Sequence, residues 1–287
     1  MAVLEIQALS HTYAAGTPFE KHAVREVSFT TNPGETLAVI GHTGSGKSTL
    51  VQHLNGLLRP TAGKILLDGR DIWENPKLIR QVRFRVGMVF QYPEHQLFED
   101  TVYKDIAFGP RNMGLNESQT DARVRTAAAM VGLDEALLSA SPFDLSGGEK
   151  RRAAIAGVLA MEPEVLILDE PTAGLDPRGR EQILDMIRRY RERQNAAVIL
   201  VSHSMEDVAR IADRVLVMDH GSIAMLDTVE RVFSRAAELT RIGLTVPAVT
   251  EVMLLLRRAG LDVQTDVFTV EQAVKRLLPL LGGDAPC

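Results

Sequence analysis

Gly41-His42-Thr43-Gly44-Ser45-Gly46-Lys47-Ser48-Thr49 follows directly on the apolar run Leu37-Ala38-Val39-Ile40. A short buried strand therefore leads into a glycine-rich turn, and a helix is predicted to begin near Lys47. Strand, loop and helix in that order make a P-loop. Its glycines let consecutive backbone N–H groups curl around the β- and γ-phosphates of a nucleotide, and the helix N-terminus behind them adds unsatisfied donors and partial positive charge. Lys47 is placed to neutralise phosphate charge and Ser48 to ligate Mg2+. A plain glycine turn between strand and helix would explain the glycines but not the lysine and hydroxyl beside them.

The 287 residues suit one α/β domain with a small appendage, or at most two domains. A net charge of −5 with 24% charged residues argues against a nucleic-acid surface spread over the chain. Cys287 is the single cysteine, so an internal disulfide is excluded and a reducing compartment is expected. Met1-Ala2-Val3-Leu4-Glu5 does not read as a secretory leader, and the apolar run around Ala153 to Met161 is too short for a membrane span. The expectation is a soluble chain without an anchor of its own.

Leu4 to Leu9 and Ala23 to Phe29 read as strands of an opening β-rich segment, with Gly34 marking the turn before the P-loop strand. The pattern then predicts a helix from Lys47 to about Leu57, a strand over Lys64–Leu67 and another from Val86 to Gln91. Glu117 to Leu138 reads as one helix and Gly147 to about Met161 as another, followed by the buried strand Val165-Leu166-Ile167-Leu168. Beyond Asp227 the glycine motifs stop, and helical patterns appear around Leu239, Val252–Leu256 and Gln272–Leu281, with Pro247 as a break. A domain boundary is placed near Asp227, giving 1–227 and 228–287.

Leu145-Ser146-Gly147-Gly148-Glu149-Lys150-Arg151-Arg152 is the second diagnostic element. Ser146 and Glu149 stand three apart at the start of a helical run, which is the spacing of a capping box. Gly147 and Gly148 are poor helix formers, so capping alone does not explain them. They keep the helix start bare, and a bare, amide-rich helix start is a second anion site.

This segment resembles the signature motif of ABC-type ATPases, and the resemblance extends over residues 1 to about 227. It implies an α/β fold with a RecA-like core, an antiparallel β subdomain and a helical subdomain, here followed by a small C-terminal helical extension for dimer contact or regulation. Val165–Leu168 followed by Asp169-Glu170 matches the Walker B strand, which implies Asp169 in the Mg2+ shell and Glu170 as the general base on water. Gln91 matches the Q-loop glutamine that senses metal and γ-phosphate, so Ser48, Gln91 and Asp169 are the implied metal set. Ala173-Gly174-Leu175-Asp176 matches the D-loop, His203 the switch histidine on the γ-phosphate, and Tyr13 the aromatic that stacks on adenine, worth about 1 kcal/mol. Taken alone, His203 also fits a solvated strand-end histidine and Tyr13 a strand-end tyrosine. Glu149 departs from the glutamine common in the family, although either residue completes the capping box. In such ATPases Ser146, Gly147 and Gly148 of one subunit close over the ATP held by Lys47 of another, so a lone chain is expected to be nearly inactive. The intervals between motifs are too short for the coiled coils of chromosome-organising relatives.

Gly41–His53, Phe90–Val102 and Gly157–Glu164 carry a finer similarity, to the A-prime ATPase subunits of energy-coupling-factor importers. The resemblance implies an ATP- and Mg2+-dependent subunit, peripheral on the cytoplasmic face of the cell membrane. Its partners would be a sister ATPase, or a second copy, an integral membrane scaffold, and interchangeable membrane proteins that bind vitamins or transition-metal ions such as cobalt or nickel. Two other readings are an assembly ATPase with no membrane role and a nucleotide-gated module without turnover; intact Glu170 and His203 speak against the latter. After Gln91, Pro93 can open a helix and the apolar step Leu97-Phe98 either packs inward or grips the scaffold.

Overall fold

The computed structural model describes residues 2–281, so Cys287 lies outside the described residues. In chain order, β1 (Leu4–Tyr13) and β2 (Lys21–Thr31) precede β3 (Thr36–Ile40), the P-loop and α1 (Lys47–Leu54). β4 (Ala62–Leu67), β5 (Arg70–Asp71), α2 (Ile79–Arg85) and β6 (Val86–Val89) lead to α3 (Val102–Asn112) and α4 (Glu117–Met130). Then come α5 (Gly147–Leu159), β7 (Val165–Asp169), α6 (Pro177–Gln194), β8 (Ala197–Val201), α7 (Met205–Ile211), β9 (Arg214–Asp219) and β10 (Ser222–Thr228). The chain closes with α8 (Val229–Phe233), α9 (Ala236–Arg241), α10 (Ala248–Arg258) and α11 (Val270–Leu277).

Among the described residues the strands form two sheets. One is antiparallel, in the order β2-β1-β4-β5; the other runs β10-β9-β3-β8-β7-β6 and is parallel except for β10. All residues of β3, β7 and β8 are buried, as uniform apolar runs require in a sheet covered on both faces. Register then decides where the site forms. Val89 pairs with Leu168, Asp169 with Val201, and Val39 with Val201, so the carboxyl ends of β6, β7, β8 and β3 meet along one edge. Open parallel sheets bind ligands at that edge.

α3, α4 and α5 share a core through Ile106, Val124, Ala127, Ile155 and Leu159, forming a helical layer beside the main sheet. The helix expected over Glu117–Leu138 stops at Met130. Gly132 takes φ +68° there, a left-handed stop, and Asp134 then accepts from the Ala136 N–H to start a separate turn over Glu135–Ser139. α1 likewise ends at Leu54, short of Leu57, and Gly56 has φ +68°. β1 runs further than Leu9 because it passes through bulges between Ile6 and His11 that interrupt its alternation without ending its pairing. The segment expected as strand to Gln91 leaves the sheet at Val89. Past β10, Val229, Val232, Phe233, Leu239 and Leu244 pack with Ile40, Val215 and Val217 against the main sheet. Met253, Val263, Val267 and Ala273 form a smaller cluster around α10 and α11.

Candidate nucleotide site

Gly46 takes φ +104° at the start of α1, and a Cβ there would come within 2.3 Å of the Ala23 carbonyl oxygen. Gly41 is closed to side chains as well, since its Cβ would stand 2.4 Å from the Met218 oxygen. The loop thus needs glycine where it turns and where β1–β2 and β9 crowd it. No side chain caps α1, so its first N–H groups remain available to an anion at the loop. Lys47 is buried and donates from Nζ to the Gly41 oxygen at 2.7 Å and the His42 oxygen at 3.1 Å. Burial lowers its pKa from the usual lysine value, while Glu170 and Asp169 pull it back up. Thr43, Gly44 and Ser48 are exposed on the lip of the loop, and Ser45 is buried beneath it. His42 directs its imidazole away, to Asp219 at 3.0 Å, leaving its backbone to the loop. Tyr13 places its Oη 3.3 Å from Thr49 Oγ1 and its ring edge-to-face with His11, with 39% of the residue exposed beside the loop.

The two acids at the end of β7 differ in environment. Asp169 is buried, which pushes its carboxyl pKa upward, against the opposing pull of Lys47 and a hydrogen bond with Ser48. Glu170 sits at φ +51° with its N–H donated to the Val201 oxygen at 3.0 Å. Burial raises its carboxyl to about 7, opposed by the His203 N–H, which donates to Oε2 at 3.3 Å, and assisted to a lesser degree by the charge of Asp169. His203 Nε2 lies 3.3 Å from Glu170 Oε1 but too poorly aligned to bond, so Oε1 is buried without a donor. Burial and Lys47 lower the His203 pKa, which keeps the imidazole neutral near pH 7. Such a carboxylate, half-titrated near neutrality and with a free lone pair, has the properties of a general base. Gln91 is exposed just beyond β6, on the same sheet edge.

Ser146 forms the expected capping box: its N–H donates to Glu149 Oε2 at 2.8 Å, its Oγ to the same oxygen at 2.6 Å, and it accepts from the Glu149 N–H at 3.4 Å. A Cβ on Gly147 would meet nothing within 4 Å, so this helix start is bare surface. Among the described residues no hydrogen bond or ion pair joins Ser146, Gly147 or Gly148 to the P-loop. Asp176 caps α6 by accepting from the Gly179 N–H at 2.6 Å, which occupies one of its oxygens. Sequence reasoning missed Arg151, whose buried guanidinium bonds Glu94 at 3.0 and 3.1 Å and the Ala173 oxygen at 2.6 Å. It ties the signature helix to the segment after Gln91 and to the start of the D-loop. Its position within Lys150-Arg151-Arg152 carried no signal, because three adjacent cations read as a solvated helix face.

A family model described as ABC transporter matches residues 24–173. The chain is 55% identical over 277 residues to "Energy-coupling factor transporter ATP-binding protein EcfA2" of Symbiobacterium thermophilum, an alignment covering 96% of each chain. It is 52% identical over 279 residues to the protein of the same name from Clostridium perfringens, covering 97% of this chain and 98% of the other. Among solved structures, cbiO1 from Clostridium perfringens, described as part of the ABC transporter complex cbiONQ, matches with a TM-score of 0.75 and 38% identity over 90% of this chain and 97% of that one.

Proposed function

The chain belongs to the ABC transporter family as an energy-coupling factor transporter ATP-binding subunit, an ATPase coupled to transport, and from that premise we propose which residues do its work. Gly41 to Thr49 cradle the phosphates with backbone N–H groups, Lys47 neutralises the β- and γ-oxygens, and Tyr13 covers the adenine. Ser48 lowers the pKa of the buried Asp169 carboxyl, and a hydroxyl acting with a buried carboxylate is an all-oxygen donor set that suits Mg2+. Together with Gln91 they would hold the ion, which would supply neutralisation of phosphate charge. Glu170 takes a proton from the attacking water, and neutral His203 positions the γ-phosphate.

The observation that carries this reading is the donor-free Oε1 of Glu170 at the sheet edge shared by the P-loop, Asp169 and His203. The test is single-site turnover in Glu170→Gln: ATP binding stays intact while hydrolysis falls by roughly 10²- to 10⁴-fold. Unchanged hydrolysis in that variant overturns the assignment.

Ser146, Gly147 and Gly148 complete the site of a neighbouring ATPase subunit, because they lie open on the surface and unconnected to this chain's own loop. We place the working unit as a pair with a sister ATPase on a membrane scaffold, whose interchangeable membrane partners select the micronutrient cargo. Exposed Val252 and Leu255 on α10 and Val270 and Val274 on α11 suit the extension from residue 228 to dimer contact. No helix among the described residues is long and apolar enough to cross a membrane, so attachment at the cytoplasmic face runs through the partner. The Leu97-Phe98 step divides: Leu97 packs against the helical layer, while Phe98 is 60% exposed and meets Phe108 edge-to-face at 5.1 Å. Both aromatics line a cavity of about 360 Å³ with Phe84, which is the proposed grip for the scaffold.

A further inference from the structure

The opposite flank of the P-loop carries a cluster that ATP chemistry does not use. His42 Nδ1 stands 2.9 Å from the Thr43 carbonyl oxygen, and a carbonyl only accepts, so Nδ1 carries the hydrogen. In the neutral ring the lone pair is then on Nε2, and Nε2 faces Asp219 Oδ1 at 3.0 Å. Two lone pairs at that distance require a shared cation between them. An imidazolium proton would satisfy His42 and Asp219 alone. A third group is present, however: His220 Nε2 is 3.7 Å from the same carboxylate oxygen, and its ring centroid is 5.3 Å from that of His42. One ligand atom from each of the three residues falls within 4.8 Å of the others. Ligands held at about 2.1 Å from one ion stand roughly 3.0–3.4 Å apart, so the exposed His220 would turn inward from its present 3.7 Å to close the set.

The local fold explains how residues 177 positions apart meet. Asp219 ends β9, which runs parallel beside β3, so the P-loop and the β9–β10 turn leave the sheet at the same edge. His220 (φ +45°) and Gly221 (φ +82°) both take left-handed conformations in that turn, which brings the two histidine rings together. The Gly221 N–H donates to the Ser45 oxygen at 3.0 Å, already pinning turn to loop. A carbonyl bond on the second nitrogen of His42 is the usual way a protein orients a metal-ligating imidazole.

We infer that His42, Asp219 and His220 form a transition-metal site of the zinc, nickel or cobalt class, distinct from the Mg2+ ligands, that restrains the P-loop. Two imidazoles and one carboxylate leave the ion open positions and favour borderline metals over Mg2+. The restraint acts through His42, because its carbonyl accepts from Lys47 Nζ at 3.1 Å; fixing residue 42 to the turn holds the ammonium on the loop carbonyls and away from phosphate.

The test titrates the full, nucleotide-free chain with Zn2+ by calorimetry and with Co2+ by visible absorption, in wild type, Asp219→Asn and His220→Asn. Asparagine tolerates the left-handed turn, so His220→Asn keeps the fold. One Zn2+ per wild-type chain is expected, with affinity at least about tenfold weaker in each variant and the Co2+ spectrum lost. In the assembled pair of ATPase subunits, His220→Asn should keep the basal Mg2+-ATPase rate while losing the slowing that Zn2+ imposes on wild type. Absence of wild-type binding, or equal Zn2+ affinity in all three proteins, overturns the site. Equal slowing by Zn2+ in wild type and His220→Asn overturns the restraint.

Discussion

Glu170 shows how a single position trades stability for chemistry. Its carboxyl titrates at about 7 in the fold against 4.5 as the ordinary value, so folding favours the protonated form. Below the ordinary value there is no penalty; as pH rises from about 4.5 towards 7 the unfolded chain ionises while the folded one stays protonated, so stability falls across that window and levels off above about 7. The penalty is on the order of 1–3 kcal/mol once fully present. Glu170→Gln is therefore expected to melt at a higher temperature than wild type at pH 8, with the difference shrinking below pH 7 and disappearing below about pH 4.5, in thermal unfolding of the nucleotide-free chain. With Glu170 in the proposed role of base, turnover by wild type should rise as pH passes through about 7 and flatten above it; a flat profile between pH 6 and 8 would count against that role. Glu149 offers a second residue-scale test. Its carboxylate holds the Ser146 hydroxyl at 2.6 Å and adds negative charge beside the surface proposed to meet the partner's γ-phosphate. Glu149→Gln keeps the capping box and removes that charge, so ATP-dependent pairing, measured by sedimentation in a non-hydrolysing background, should tighten by about 2- to 5-fold.

Elements are coupled here by one buried ion pair. The Arg151 side chain is 6% exposed and that of Glu94 18%, and their bonds lock α5 to the turn over Pro93–Gln96. The same guanidinium reaches the Ala173 oxygen ahead of α6, so one side chain ties the start of α5 to the segment after Gln91 and to the turn before α6. Arg151→Met strands a buried carboxylate and should cost about 3–5 kcal/mol in urea unfolding. Adding Glu94→Leu removes the stranded charge and should recover a large part of that loss, a non-additivity that a double-mutant cycle would measure. Additive losses would mean that the pair is not the link between these elements.

At the scale of the whole molecule, the proposed head-to-tail pairing has the bare start of α5 and the P-loop serve different nucleotides. Ser146→Arg should leave ATP binding at the chain's own P-loop intact and block hydrolysis at the partner's, which a mixture of mutant and wild-type subunits with separately marked sites resolves. Loss confined to the mutant's own P-loop would contradict the head-to-tail arrangement. Phe98→Asp should release the membrane scaffold in co-purification while the isolated ATPase still binds ATP; scaffold retained with normal transport would rule out Phe98 as part of the grip. Leu97→Asp, by contrast, is expected to destabilise the helical layer against which that side chain packs.

Local order was written in the sequence wherever near neighbours settle the outcome. The apolar run Leu37–Ile40, the glycines that follow it and the Ser146/Glu149 box name their strand, loop and helix start because hydrophobic period, left-handed turns and capping depend on residues a few positions apart. The family followed from those motifs together. The helix ends at Gly132 and Gly56 were missed because the apolar pattern runs on past glycines that take left-handed turns, and the bulged course of β1 because its pairing continues where its alternation breaks. Only the tertiary structure decided that β6, β7, β8 and β3 end on one edge, that burial lifts Glu170 to about 7, that Arg151 faces inward to Glu94, and that His42 meets Asp219. Desolvation and charge pairing depend on which groups surround a side chain in space, and in this fold those groups come from strands and turns far apart along the chain.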